Sequence, residues 1–233
     1  MSDDRPFRIG VLTPMPSEQQ PVVRAMSLQR AGGDRLYRGT VGGAEIVSAR
    51  TGMGTQRARE ATTRLLDGFD VDHVMVVGIA GGMGPSKVGD VLFPESVVNK
   101  HTESEYRPAP LGGVTPRGKL VTHDDFDMGP DELRRLVEEG FVAVDMETAA
   151  VAEVCAEREC PWLAVRAISD LVGVTPGDVI DLAHPDGSPN VKAALRYMVT
   201  KPWRIPKLAR LAKESTQAAN AAAKAAAHTV LAR

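Results

Sequence analysis

Residues 142–170, VAVDMETAAVAEVCAERECPWLAVRAISD, constrain the fold more than any other stretch of the chain. Two β-like runs, Val142-Ala143-Val144 and Trp162–Val165, flank a segment from about Glu147 to Glu157. In that segment Ala150, Val151 and Val154 recur at helical spacing, and Pro161 closes it. A strand–helix–strand unit of this length predicts a parallel sheet. Ligands of such sheets collect beyond the carboxyl ends of the strands. Glu147 and Asp170 fall at those ends, with Arg166 close in sequence. Two carboxyls aimed at one crevice beside a cation suit a polar ligand.

The rest of the chain is compatible with one α/β domain. Its 233 residues are 43% apolar, enough for a substantial core. The net charge of −2 does not favour nucleic-acid binding through a basic surface. Cys155 and Cys160 lie five apart, outside any metal-ligand spacing, and are expected as reduced thiols in or near the core. The opening MSDDRPF is too polar for a signal peptide, and no apolar run approaches the ~20 residues of a membrane span. A cytoplasmic protein is expected.

In chain order, Phe7–Leu12 reads as the first strand, followed by a helix over Glu18–Met26 with Ser17 as its cap. Leu36–Val41 and Ala44–Ala49 read as a hairpin turned by Gly42-Gly43. Thr51-Gly52-Met53-Gly54 then opens a helix running to about Leu66, a place where backbone N–H groups can cradle an anion or a sugar hydroxyl. Val71–Val77 is the most apolar strand and the expected centre of the sheet; it leads into Gly78-Ile79-Ala80-Gly81-Gly82, small enough for a flat ligand to lie on the backbone. Val91–Val98 is expected as one strand, 99–119 as a long loop, and Pro130–Glu139 as a helix. Residues 173–190 read as irregular, 191–199 as helix, and Ile205 onward as a long Ala-rich helix fraying at its end.

Several activities are excluded by missing motifs. The chain has no GxGxxG after a strand, no GxxxxGK[ST], no GxSxG elbow and no HExxH. Taken singly, Glu147 and Asp170 read as readily as a helix-start acid and a strand-end cap, and Glu18 as a surface acid.

The ordered set is far more specific. Met15xxGlu18, TGMG, GIAGG, VDMETAA and RAISD follow one another in the chain. This set resembles the nucleoside phosphorylase/nucleosidase superfamily, most closely the methylthioadenosine/S-adenosylhomocysteine nucleosidases. The resemblance runs from about Ile9 to Asp170, and the segment HPDGSPNVKAALRYMVTKPWRIPKLARLAKES is similar to the C-terminal part of hopanoid-associated nucleosidases.

The resemblance implies a single domain over 1–233, a central mixed, mostly parallel twisted sheet flanked by helices, and a C-terminal helical extension at about 191–233. It implies that Asp170 delivers a proton to the purine N7, with Ser169 orienting it. Glu18 would act on the attacking water, assisted by Arg166. Glu147 would hold the ribose hydroxyls, with Met146 and Met15 against the sugar, and Ile79, Ala80, Gly81 and Phe126 would line the base pocket. The implied reaction is hydrolysis of a purine nucleoside with a modified 5′ position, without metal or cofactor, in a homodimer or higher homo-oligomer. The residue types suit it: an oxocarbenium-like transition state needs an acid at the leaving base and a carboxylate near the sugar and its nucleophile. Phosphorolysis on the same scaffold is the runner-up; a non-catalytic nucleoside-binding protein is the third reading.

Overall fold

The ten-residue strand β5 (His73–Gly82) is the axis of the sheet. Val74, Met75, Val76 and Val77 are each at most 1% exposed, as an unalternated apolar run requires when both faces of a strand are covered. The computed structural model describes residues 5–33, 35–124, 128–173, 182, 184–186, 188 and 190–233. Along one edge of β5, strand β11 (Trp162–Leu171) runs parallel for its whole length. Along the other edge, β1 (Arg8–Thr13) runs parallel as far as Val76, and the sheet continues through β4 (Ala44–Arg50), β3 (Leu36–Val41) and β2 (Gln29–Gly32).

Beyond the reach of β1 that same edge is taken by β10 (Phe141–Asp145), which pairs antiparallel with Gly81 and Gly82. Strands β9 (Lys119–Thr122), β7 (Ser96–Asn99) and β8 (Glu105–Tyr106) extend the sheet from β10. The two-residue β6 (Val91–Leu92) pairs with β11. The sheet is therefore mixed, with its long central pairs parallel. One expectation is corrected: β10 and β11 are not a parallel pair. With one edge of β5 filled by β11, β10 can join only the opposite edge past Val76, and it does so in the reverse direction.

Helices cover both faces. α1 (Pro16–Ala25) and α6 (Ile205–Leu231) share a core with Ile9, Val11, Met75, Val77, Leu163 and Val165. α2 (Thr55–Gly68) and α4 (Thr148–Glu157) share the opposite core with Leu12, Val74, Val76 and Ala164. Alternate residues of β5 and β11 thus feed opposite layers, as period-2 strands must. α3 (Pro130–Glu138) packs near β10, and α5 (Val191–Thr200) leads through one 3-10 turn at Pro202–Arg204 into α6.

Local signals held where the chemistry is local. Gly42 and Gly43 have φ of +55° and +80°, the conformation a two-residue primed turn demands. Other readings change. GIAGG continues β5 as strand. The expected strand Val91–Val98 is broken by Phe93-Pro94. The loop 99–119 contains β8. Instead of fraying, the second half of α6 buries Ala218, Ala222, Ala226 and Val230, because alanines let a helix lie close against the sheet. Residues 174–181 of the expected irregular stretch lie outside the described residues.

Candidate active site

The site grows from the gap in the sheet between β1 and β10. β1 leaves the edge of β5 at Val76 and β10 takes it up at Gly81. Between them the Ile79 N–H has no strand partner, and it donates to Glu18 Oε1 at 2.8 Å. Glu18 reaches the gap from the first turn of α1, where its Oε2 also accepts the Met15 N–H at 2.9 Å. Glu18, and not the exposed Ser17, therefore caps this helix. The side chain is 2% exposed. Burial pushes its carboxyl up to about 7, against the opposing pull of the Arg166 charge and the two N–H donors.

Arg166, flanked in β11 by the apolar runs Trp162–Val165 and Ala167-Ile168, faces Gly78 in register and is 0% exposed. Its Nη2 lies 2.5 Å from Asp145 Oδ2, 3.4 Å from Glu147 Oε2 and 2.9 Å from Thr148 Oγ1. Gly78 makes this meeting possible: a Cβ there would strike both the Glu18 carboxylate and the Arg166 guanidinium. One cation thus faces three buried carboxyls, Asp145, Glu147 and Glu18. A single positive charge cannot compensate all three away from water. Burial raises the Glu147 carboxyl to about 8, with Arg166 pulling it back and Asp145 and Glu18 pushing it further.

Asp145 holds the corner together. It accepts from the Thr122 hydroxyl at 2.7 Å, from the Thr148 hydroxyl, and from the Glu147 and Thr148 N–H groups at 3.4 and 3.3 Å. These bonds fix the start of α4, with Glu147 at the position just before its first turn. Glu147 Oε1 then accepts the Gly54 N–H at 3.0 Å.

That bond overturns the reading of TGMG as an anion cradle. Thr51 N–H donates to Thr13, Gly52 N–H to Pro14 and Met53 N–H to Pro185 carbonyls, and Gly54 N–H to Glu147. The Thr51 hydroxyl donates to the Gly52 carbonyl at 2.7 Å. The next N–H, that of Thr55, donates to the Asp124 carboxylate at 2.8 Å. Protein groups, two of them carboxylates, already occupy every donor of the loop.

Asp170 comes from the other side of β5. The pairing of β11 with β5 slips between Ile168 and Asp170, placing Asp170 opposite Gly81. Such a bulge re-aims a side chain at a strand end. Ser169 Oγ donates to Asp170 Oδ1 at 2.6 Å, and Asp170 is half-buried. Five of the candidate site residues therefore gather along Gly78–Gly81: Glu18 on Ile79, Arg166 over Gly78, Glu147 on Arg166, and Asp170 with Ser169 at Ala80–Gly81. Met15, Met146 and Ile79 are half-buried, while Ala80 and Gly81 are buried. Phe126 lies outside the described residues.

Sequence reasoning missed Asp145, Thr148, Thr122, Gly54 and the part played by Gly78. One signal was available. An arginine inside WLAVRAISD must be buried, and a buried guanidinium demands a counter-charge. Asp145 stands beside Glu147 in the quoted VDMETAA and was available as that counter-charge. Arg166 offers no surface to a ligand, so what it gives Glu18 and Glu147 is charge and position.

A mixed α/β sheet interrupted at its centre, with buried acids lining the interruption, defines a class of enzyme fold. The chain belongs to the phosphorylase superfamily, which it matches over residues 8–122 and 111–200. Within that class it is similar to 5′-methylthioadenosine/S-adenosylhomocysteine nucleosidases. It is 27% identical over 225 residues to the one from Tolumonas auensis, covering 82% of this chain and 98% of the relative. It is 31% identical over 200 residues to the one from Listeria monocytogenes, covering 70% and 86%. Among solved structures, the Streptococcus pneumoniae nucleosidase with a transition-state inhibitor superposes with a TM-score of 0.72 at 18% identity, covering 97% of this chain and 99% of that one. The fold is likewise that of Helicobacter pylori futalosine hydrolase, with a TM-score of 0.70 at 20% identity over 96% and 97% of the two chains.

Proposed function

We propose that this chain hydrolyses the N-glycosidic bond of a purine nucleoside with a modified 5′ position, releasing the free base. The substrate is of the methylthioadenosine/S-adenosylhomocysteine type or carries a bulkier, adenosylhopane-like substituent. Water attacks the anomeric carbon as the bond to the base breaks, and the bonding pair leaves with the base. Asp170, oriented by Ser169, gives its proton to the purine N7, which makes the base a better leaving group. Glu18 takes the proton of the water. Glu147 accepts from the ribose hydroxyls, Met15 and Met146 pack against the sugar, and Ile79, Ala80 and Gly81 line the base pocket. Arg166 is a positioning residue that keeps the two glutamates in place.

The observation that carries hydrolysis over phosphorolysis is the state of residues 51–55. A phosphate there would find no free backbone donor and two carboxylates, Glu147 and Asp124, beside it. Work in the cytoplasm as a homodimer or higher homo-oligomer completes the reading. The test is base release from adenosine, inosine, methylthioadenosine, adenosylhomocysteine and longer-tailed analogues, with and without inorganic phosphate. Release from 5′-modified nucleosides in phosphate-free buffer is expected. Absolute dependence on phosphate would turn the assignment into a phosphorylase, and no release from any of them would favour a nucleoside-binding protein.

A further inference from the structure

Seven large apolar side chains are exposed among the described residues, and four of them crowd into one short stretch: Leu195, Val199, Trp203 and Ile205. Val199 and Trp203 are 75% and 73% exposed. Scattered surface apolar residues need no explanation, but a cluster that includes an exposed tryptophan does. The same stretch is strongly basic. Residues 191–214 hold seven Lys and Arg, from Lys192 to Lys213, against the single acid Glu214, in a chain whose net charge is −2. Leu195 and Val199 are one turn apart on α5, as are Lys192 and Arg196. Trp203 follows in the 3-10 turn, and the exposed Lys207, Arg210 and Lys213 lie on the first half of α6.

We infer that this segment docks the protein on an anionic phospholipid surface. The inference is independent of the hydrolase assignment. Interfacial helices combine aromatic and aliphatic side chains with a basic polar face, low enough in overall hydrophobicity to lie on a bilayer without crossing it. No described helix is long and apolar enough to cross one. The segment is also well anchored: one face of the second half of α6, from Ala218 to Val230, is buried, and the basic first half continues from it on the same helix. Lys201 lies 4.9 Å from the Tyr197 ring centroid, and Arg204 donates to the Tyr197 hydroxyl at 3.0 Å, which ties the turn between the two helices. Charge selects the occupant. A two-fold contact would set these cations against their own copies. An anionic bilayer supplies the opposite charge along with an apolar boundary for Trp203.

Sedimentation with vesicles tests this, comparing equal parts phosphatidylglycerol and phosphatidylcholine with phosphatidylcholine alone. Binding to the mixed vesicles at about 0.1 M salt, lost at about 1 M salt as the Debye length shrinks from ~10 to ~3 Å, is expected. Because Trp162 is 5% exposed, a blue shift of tryptophan emission on binding reports Trp203. The variants Trp203→Phe and Lys192→Glu/Arg196→Glu keep the fold by circular dichroism. The first loses the blue shift; the second lowers partitioning by about fivefold or more per charge removed. Base release from a soluble nucleoside stays unchanged in both, so a failure here is distinct from a failure of the hydrolase reading. No sedimentation with anionic vesicles at low salt overturns the inference. So does equal binding by the Lys192→Glu/Arg196→Glu variant. Duplex DNA binding without vesicle binding, or a change of oligomeric state in Leu195→Ser/Trp203→Ser without vesicle binding, would assign the patch elsewhere and overturn it as well.

Discussion

Replacing Glu18 by Gln sets an amide NH2 against either the Ile79 or the Met15 N–H, both of which now donate to carboxylate oxygens. The charge that the account uses as a base disappears too, so base release should fall by about 10²–10⁴-fold. The pH profile separates this role from a structural one. With the Glu18 carboxyl raised to about 7, the wild-type rate should decline below about pH 7 as the base becomes protonated. Stability runs the other way. A carboxyl whose pKa rises from 4.5 on folding holds its proton better in the folded chain. Its contribution is therefore complete below about 4.5 and is lost as pH rises through about 7. Thermal melts of the wild type between pH 5 and 7.5 should show this decline, and Glu18→Gln should flatten it. Glu147, raised for the same reason, acts with the same sign. An unchanged rate profile in Glu18→Gln would remove Glu18 from the chemistry.

At the scale of the element, the gap between β1 and β10 does what no single residue announces. The glycines of β5 were legible as a place for close approach, because glycine in an apolar strand has few other reasons to be there. What approaches was not legible. Gly78 admits the protein's own Glu18 and Arg166, and that depends on which strand fills which edge of β5. The turn at Gly42-Gly43 is local and could be read directly. The direction of β10 is not local, since Phe141–Asp145 carries the same apolar pattern in either orientation. Gly78→Ala is the matching prediction. Its methyl would displace the Glu18 carboxylate or the Arg166 guanidinium. A stability loss of about 1–3 kcal/mol by denaturant titration is expected, together with a larger loss of base release than the stability change explains. Activity intact in a folded Gly78→Ala would mean that the two charged groups need not meet over this residue.

Across the whole molecule, the two faces of the sheet are closed differently. α2 and α4 close one face with mixed side chains, whereas on the other α6 lays an alanine row beside α1. The Ala-rich composition was visible in the sequence, but alanine reports little about burial, because it suits an exposed helix as well as a tightly packed one. Ala222→Leu, at a site 0% exposed, should cost about 1–3 kcal/mol in denaturant titration, and an exposed control such as Ala209→Leu should be nearly neutral. The three acids, by contrast, could be named from their motifs, and the chain brings Glu18, Glu147 and Asp170 to one short stretch of β5 from three different elements.

The most direct test of that convergence is release of adenine from methylthioadenosine in phosphate-free buffer, wild type beside Asp170→Asn. The wild type should release the base. The variant, folded by circular dichroism, should be slower by about 10² or more, since an amide cannot deliver the proton to N7. A wild type that is silent until phosphate is added, or an Asp170→Asn variant as fast as its parent, would contradict the account.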